Sequence, residues 1–418
     1  MLDLFPDSAA VNGADLTLGG IPASALAEEH GTPLLVLCEE TVRSSARALH
    51  SAVGDGRVFF GTKALPNVSL LRVLRDEGIG ADVASAGELA FATAAGLDGG
   101  HLVVHGNNKD ERFLAEAAAA GAPVVLDAPD EAGLAAAAGV AQVLVRVTLG
   151  VDADTHEAIR TGHHGSKFGL PPDQARAVVR EALDLGLDVA GAHVHVGSQL
   201  EDFDAQAETI SRLASFVASC RDELGWTAVV ADLGGGFGIR HHPADRVPAA
   251  VELAETAART ARLAFVEEGL PQPEVWLEPG RSLVGRAGVT LYRVGSVKRL
   301  PGRTWVAVDG GMSDNPRPQL YGARYTALSA ARAGEAVDEI VSVAGMHCES
   351  GDVLIDDVAL PSPRRDDLLA VPATGAYTLA MASNYNGVPR PAVVMIRDGD
   401  ARVVRARETV EDLLRFEA

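Results

Sequence analysis

The chain has 418 residues, 47% of them apolar and 22% charged, with a formal net charge of −21. That length and apolar content support more than one packed core and exclude a disordered or fibrous chain. The acidic balance argues against nucleic acid or an anionic membrane as partner, since both need a basic face.

The N-terminus, "MLDLFPDSAAVNGADL", is acidic and lacks the basic start and apolar run of a signal peptide. No run of 18 apolar residues occurs, so a cytoplasmic protein is expected. The three cysteines, Cys38, Cys220 and Cys348, are far apart in sequence, which predicts neither a disulfide framework nor a metal site. Only four of the 36 basic side chains are lysines: Lys63, Lys109, Lys167 and Lys298.

Residues 1–30 are expected to join a β domain formed later in the chain. From 57 to 280, short β-prone runs alternate with Ala/Leu-rich stretches of helical period. The runs are "RVFFGT", "GADV", "HLVVH", "PVVLD", "QVLVRVTLG", "LDVAGAHVHV", "AVVADLGGG" and "EVWLEPG". Eight strands alternating with helices predict a TIM-type (β/α)8 barrel, an α/β fold, placed at residues 31–285. A doubly wound open sheet is the competing reading; the count of eight and the absence of an early GxGxxG favour the barrel. Beyond 286 the pattern changes to short strands separated by turns, such as "RTWVAVDGG" and "DVLIDDVALP". That predicts a mainly β C-terminal domain, a barrel or sandwich, over 286–418.

In a barrel enzyme, chemistry gathers at the C-terminal strand ends. Those ends carry Lys63, Asp82, Asn107 with Lys109, Asp127, Arg146, His195 with Ser198, Gly234–Gly236, and Glu278 with Arg281. Any one polar strand end meets solvent unremarkably; a polar residue at nearly every rim position is harder to attribute to solvation. Three glycines in "DLGGGFG" let backbone N–H groups approach an anion, and the loops after strands 7 and 8 are the usual phosphate site of such barrels. A lysine after strand 1, a phosphate cradle after strand 7 and a carboxylate after strand 8 together suggest pyridoxal 5'-phosphate (PLP). Lys63 would form the Schiff base and Glu278 would hold the pyridine nitrogen. Alternation places His193 and His195 on one strand face; one of them is a candidate to lie against the ring and the other to be structural.

The segments "GTKA", "ADVASAGEL", "HGNNK", "HEAIRTGHHGSKFG", "HVHVGSQ", "DLGGGFGI", "LEPGRSLV", "DGGMSDNPRPQLYGARY", "HCESGD" and "TGAYTLAMASNYN" occur in this order. Together they resemble the diaminopimelate decarboxylases, alanine-racemase-like fold type III PLP enzymes related to the ornithine and arginine decarboxylases. The resemblance runs from about residue 30 to the C-terminus. It implies decarboxylation of meso-diaminopimelate to L-lysine and CO2, in lysine biosynthesis. It implies Lys63 as the Schiff-base lysine and Cys348 as the proton donor. The implied coenzyme ligands are Lys63, Asp82, His195, Ser198, Gly235, Gly236, Glu278, Gly280, Arg281 and Tyr377. The implied substrate ligands are Arg281, Arg317, Tyr321, Glu349 and Tyr377. A homodimer with active sites shared between subunits is implied as well.

The residues agree with that chemistry. A diacid, diamine substrate needs Arg for a carboxylate and an acid such as Glu349 for the distal ammonium. A thiol between a His and a Glu suits proton delivery; otherwise Cys348 would be a small buried residue. Two departures flank the lysine: Phe60-Gly61 stands where the family has Tyr-Ala, and Leu65 where it has Asn. They leave open a PLP decarboxylase for ornithine, arginine, a carboxylated polyamine or a secondary-metabolism amino acid, or a non-catalytic PLP-binding homologue. A racemase fits less well, because racemases of this fold place Arg at the pyridine nitrogen.

Overall fold

The computed structural model describes residues 1–151, 166–199 and 203–417. They divide into two compact units. One holds Met1–Ser44, Arg240–Arg246 and Leu283–Ala418; the other holds Ser45–Ile239 and Val247–Ser282.

The chain begins with a three-stranded antiparallel sheet of β1 (Ala10–Asn12), β2 (Asp15–Leu18) and β3 (Ile21–Pro22). The next strand, β4 (Leu34–Cys38), is buried at every position, as an unbroken "LLVLC" run requires.

Eight parallel strands then close into a barrel: β5 (Arg57–Gly61), β6 (Gly80–Val83), β7 (Leu102–Val104), β8 (Val124–Leu126), β9 (Gln142–Arg146), β10 (Asp188–His193), β11 (Val230–Asp232) and β12 (Glu274–Leu277). Pairing of β12 with β5 completes the ring and rules out an open sheet. Side-chain caps start several of the intervening helices. Asn67, Ser85 and Asp110 each accept a hydrogen bond from a backbone N–H of the first turn.

One apolar layer fills the barrel: Phe59, Val103, Val125, Leu144, Ala190, Val230 and Trp276, all buried. The Phe59 and Trp276 rings meet at 4.9 Å. β6 contributes Gly80 opposite Phe59, where a Cβ would come within 2.6 Å of the phenyl ring. Only glycine leaves room there for the aromatic filling.

The remaining strands are β13 (Gly288–Leu300), β14 (Arg303–Val308), β15 (Leu328–Ser329), β16 (Glu339–Ala344), β17 (Val353–Leu360), β18 (Leu368–Pro372), β19 (Ala392–Arg397) and β20 (Asp400–Arg405). With β4 they form one sheet in the order β17-β16-β14-β13-β4-β19-β20, and β18 pairs with β13 and β15. The long β13 belongs to both ends: its first half pairs with β4 and β18, its second with β14. Two apolar clusters cover the sheet, one around Leu34, Val36, Val289 and Val394, the other around Tyr292, Val306 and Val343.

The sequence reading ends the N-terminal segment at residue 30. In the structure the first unit keeps the chain to Ser44 and takes back Arg240–Arg246. The reason is β4, whose two edges are occupied by β13 and β19. An apolar run shows that a strand is buried but not which strands flank it.

Candidate active site

The polar residues of the barrel mouth follow from strand periodicity. Successive side chains alternate between the two faces of a strand, so residues two beyond the apolar layer also point inward. Two positions beyond Phe59, Gly80, Val103, Val125, Leu144, Val230 and Trp276 stand Gly61, Asp82, His105, Asp127, Arg146, Asp232 and Glu278. β10 carries a register shift between Val189 and Gly191, and so brings His193 to this level, opposite Arg146 and Asp232. The result is a ring of ionisable groups, buried apart from half-buried Arg146, above an apolar floor.

Glu278 organises this ring. Its Oε1 lies 2.5 Å from His105 Nε2, and its Oε2 lies 3.3 Å from His193 Nε2. The two imidazoles meet edge to face at 4.7 Å. Burial alone would raise the Glu278 pKa, but the histidines outweigh it and hold the carboxyl well below the usual range. His193 pays the opposite way: burial pushes it down to about 3, so it is neutral. Asp232 is driven well above the carboxylate range, by burial first and then by the charge of Glu278. Of two adjacent acids, Asp232 therefore keeps the proton and Glu278 the charge. Asp82 is raised to about 6, chiefly by burial.

Lys63 sits in the 3-10 turn Thr62–Ala64 that leaves β5. Both neighbours are fully buried while Lys63 is exposed, so the turn lifts one amine to the mouth. The lysine acts electrostatically on Asp82, Glu88 and His195. His195 lies past the end of β10, so strand alternation does not govern it as the sequence reading assumed. Its Nδ1 accepts a 3.2 Å hydrogen bond from Gly235 N–H, which puts the ring proton on Nε2. Burial, then the positive charges of Lys63 and Arg146, hold it well below its ordinary pKa and favour the neutral ring.

The glycine loop is shaped by close approach. A Cβ on Gly235 would stand 2.3 Å from the Glu278 carbonyl oxygen. Gly235, expected at a phosphate, thus gives its N–H to His195, whereas Gly236 N–H has no hydrogen-bond partner among the described residues. Gly280 is buried beside Gly61, and Arg281 Nη2 donates to Ser198 Oγ at 3.2 Å. The structure thus gathers Lys63, Asp82, His195, Ser198, Gly235, Gly236, Glu278, Gly280 and Arg281 at one end of the barrel.

The other predicted residues lie in the first unit. Arg317 and Tyr321 bound one short helix. Arg317 is buried, and Tyr321 Oη contacts Met381 Sδ at 4.0 Å. Cys348 and Glu349 are exposed. Their loop is tied down nearby: Asp352 accepts from Met312 N–H at 2.7 Å and from His347 N–H at 2.9 Å, and Cys348 N–H donates to Asn386 Oδ1 at 3.1 Å. His347 Nε2 pairs with Ser313 Oγ at 2.8 Å. Tyr377 holds a left-handed φ of 59°, a strained backbone for an aromatic residue.

The departures beside Lys63 are local. Phe60 alternates with Phe59 and Gly61, so it faces away from the barrel interior, and a hydroxyl there would not reach the mouth. A Cβ on Gly61 would meet only ordinary contacts, the nearest at 3.6 Å. Leu65 is buried. The sequence reading missed His105 and Asp232 as site residues. The two-residue offset from the apolar layer is the signal that finds His105 and Asp232. Lys109, named at the rim, turns inward to pair with Glu131 at 2.8 Å. Most of "HEAIRTGHHGSKFG" lies outside the described residues.

Residues 39–285 match the family described as pyridoxal-dependent decarboxylase, pyridoxal binding domain. The chain is 46% identical to a diaminopimelate decarboxylase of Actinosynnema pretiosum subsp. auranticum, over 99% of this chain and 95% of that one. It is 42% identical to the Bacillus subtilis diaminopimelate decarboxylase, over 96% and 95%. Among solved structures, the M. jannaschii diaminopimelate decarboxylase in complex with L-lysine superposes with a TM-score of 0.92 at 32% identity, covering 99% of this chain and 98% of that one. A fold, a barrel-mouth site and relatives shared over nearly the whole length place this chain in the diaminopimelate decarboxylase family of pyridoxal-dependent decarboxylases.

Proposed function

We propose that this protein decarboxylates meso-diaminopimelate to L-lysine and CO2, a step of lysine biosynthesis, as a cytoplasmic homodimer with active sites shared between subunits. The observation that carries the reading is Glu278: an ionised carboxylate buried between two imidazoles, at the mouth where Lys63 presents its amine. Among the described residues no helix is long and apolar enough to cross a membrane.

The residues present fit PLP. Gly236 keeps an amide donor without a partner among the described residues, Arg281 and Ser198 form a polar pair, and neutral His195 offers a flat face. Lys63 would hold the coenzyme covalently. Gly235, Gly236, Ser198, Gly280, Arg281 and Tyr377 would hold its phosphate end, and Asp82, His195 and Glu278 its ring. Bound PLP supplies a sink for the electron pair left when CO2 departs.

The protein's own groups do the rest. Glu278 would accept the N–H of the ring nitrogen and so keep that proton in place; its low pKa serves this because a protonated acid could not. Asp232, holding the proton of the acid pair, prevents two adjacent negative charges from loosening Glu278. Arg281 and Arg317 bind carboxylate, Tyr321 and Glu349 the amine-bearing end, and Tyr377 contacts both ligands. Cys348 Sγ delivers a proton to the carbon that lost CO2.

The test is CO2 release by purified, PLP-loaded protein from meso-diaminopimelate, ornithine, arginine and lysine. The expected kcat/KM for meso-diaminopimelate exceeds the others by about 100-fold or more, because sites built for a charged group reject analogues lacking it. Equal or faster turnover of ornithine or arginine would refute the substrate assignment.

A further inference from the structure

Arg317 sits in an unusual charge environment. It is 6% exposed, yet no carboxylate among the described residues lies within ion-pair distance of it. Its Nη1 is bonded twice, to His241 Nε2 at 2.9 Å and to Tyr325 Oη at 2.5 Å. Its Nε is buried with no hydrogen-bond partner among the described residues. A guanidinium carries five N–H donors and no acceptor. Nη1 therefore spends both of its protons on His241 and Tyr325, and the Nε–Nη2 edge, the fork that grips a carboxylate side-on, is left over. A buried cation without an anion is costly unless a ligand supplies one.

The two acceptors are held as firmly as the arginine. His241 is 5% and Tyr325 3% exposed, and their rings meet edge to face at 5.5 Å. The His241 loop is closed by Asp245 Oδ2, which accepts from the N–H groups of His241 and His242 at 2.9 Å each. Arg240, beside it, is tied to Asp3 at 2.6 Å. Since Arg317 can only donate, His241 Nε2 must accept, which fixes the ring as neutral with its proton on Nδ1.

We propose that His241 and Tyr325 are positioning residues that pin Nη1 of Arg317 without neutralising it, so that its Nε–Nη2 edge receives the distal carboxylate of the substrate only while His241 is neutral. This rests on the reading of Arg317 as a diaminopimelate ligand. A proton on His241 Nε2 removes the acceptor and sets a second positive charge beside the guanidinium. Among the described residues, His241 faces Arg317, Tyr325 and Asp245, with Arg240 and His242 as chain neighbours, and Arg324 Nη2 lies 3.2 Å from His242 Nδ1. Asp245 accepts from the backbone N–H of His241.

The test measures kcat and KM for meso-diaminopimelate from pH 6 to pH 9 with the PLP-loaded dimer of wild type, His241→Gln, His241→Phe and Tyr325→Phe. Competitive inhibition by L-lysine, which keeps the distal carboxylate, is compared with inhibition by cadaverine, which has none. In wild type, KM should rise on the acid side while kcat changes less. His241→Gln keeps a neutral acceptor at every pH, and its KM should lose that acid rise. In His241→Phe, KM and the lysine inhibition constant should increase about 10-fold or more at all pH values, the loss of a hydrogen bond to a charged group, with cadaverine inhibition little changed. Tyr325→Phe should show a smaller increase of the same kind. The inference is overturned if His241→Gln keeps the wild-type pH profile of KM, or if His241→Phe weakens lysine and cadaverine alike. Failure of wild type to release CO2 from meso-diaminopimelate would remove the substrate reading itself, a separate result.

Discussion

The barrel mouth and the loops of the β unit treat charge in opposite ways. At the mouth, Glu278, Asp82, Asp232, His105, His193 and Arg146 lie at the ends of six barrel strands and compensate one another. In the β unit, Cys348 and Glu349 are exposed on a loop, and Arg317 is bonded to His241 and Tyr325 with no carboxylate beside it among the described residues. A coenzyme that stays bound repays a closed, preorganised site. A substrate that enters and leaves every turnover needs groups whose charge is still unspent. The comparison teaches that the first set should answer to mutation through stability and coenzyme binding, and the second through KM and proton delivery.

The largest expected effect tests the closed network. Lys109 and Glu131 are buried and paired at 2.8 Å. Lys109→Met leaves the buried Glu131 without its cation, and unfolding by denaturant should show a loss of about 3–5 kcal/mol. The exposed pair Arg112–Glu116 is the control: Arg112→Met should leave the unfolding midpoint close to that of wild type. Similar losses for both would break the contrast between mouth and surface.

Glu278→Gln comes next. Removing the buried charge should lower kcat by about 100- to 1,000-fold, the scale of losing one preorganised electrostatic partner, and weaken PLP retention on gel filtration. Retention of wild-type kcat would show that the charge is not used. Cys348→Ala should reduce kcat by about 100-fold, with the melting temperature and PLP content unchanged. A drop in PLP content would place Cys348 with the coenzyme set and blur the division.

A smaller effect concerns Asp314, buried against the Tyr292 hydroxyl and raised to about 7, mainly by burial. The unfolded carboxyl titrates near pH 4, so between about pH 4 and pH 7 the folded state holds a proton that the unfolded state has released. Stability contributed by this group is present below that window and is lost as pH rises through it. Asp314→Asn should flatten the fall in melting temperature from pH 5 to pH 8; an unaltered slope would assign the pH dependence elsewhere. The smallest effect is Gly61→Ala, which restores the family's residue beside Phe60. With no contact under 3.6 Å, it should change kcat/KM by less than about twofold and stability by under about 1 kcal/mol.

Much of the site was legible before the fold. Lys63, Glu278 and the glycines stand at strand ends, and barrel strands announce themselves as short apolar runs between helical repeats. His105 and Asp232 were legible in principle, since each lies two residues beyond an interior apolar side chain. They were hidden because the interior set is known only when the strands are aligned. The shift in β10 defeats counting altogether: it advances His193 by one residue, and no residue type near Val189 announces it.

What the sequence by itself determined is the chemistry available, the order of the elements and the family. Periodicity and local propensity are properties of neighbours in the chain, and they were enough for eight barrel strands and the β domain after them. Only the tertiary structure decided which groups share charge. It gave β4 to the unit built from the C-terminal strands, set Asp232 and not Glu278 as the acid that keeps its proton, and placed His241 and Tyr325 on Arg317. Each of these depends on distance through space between residues tens to hundreds of positions apart. Burial and Coulomb interaction, which fix protonation, act over those distances and leave no pattern in the local sequence.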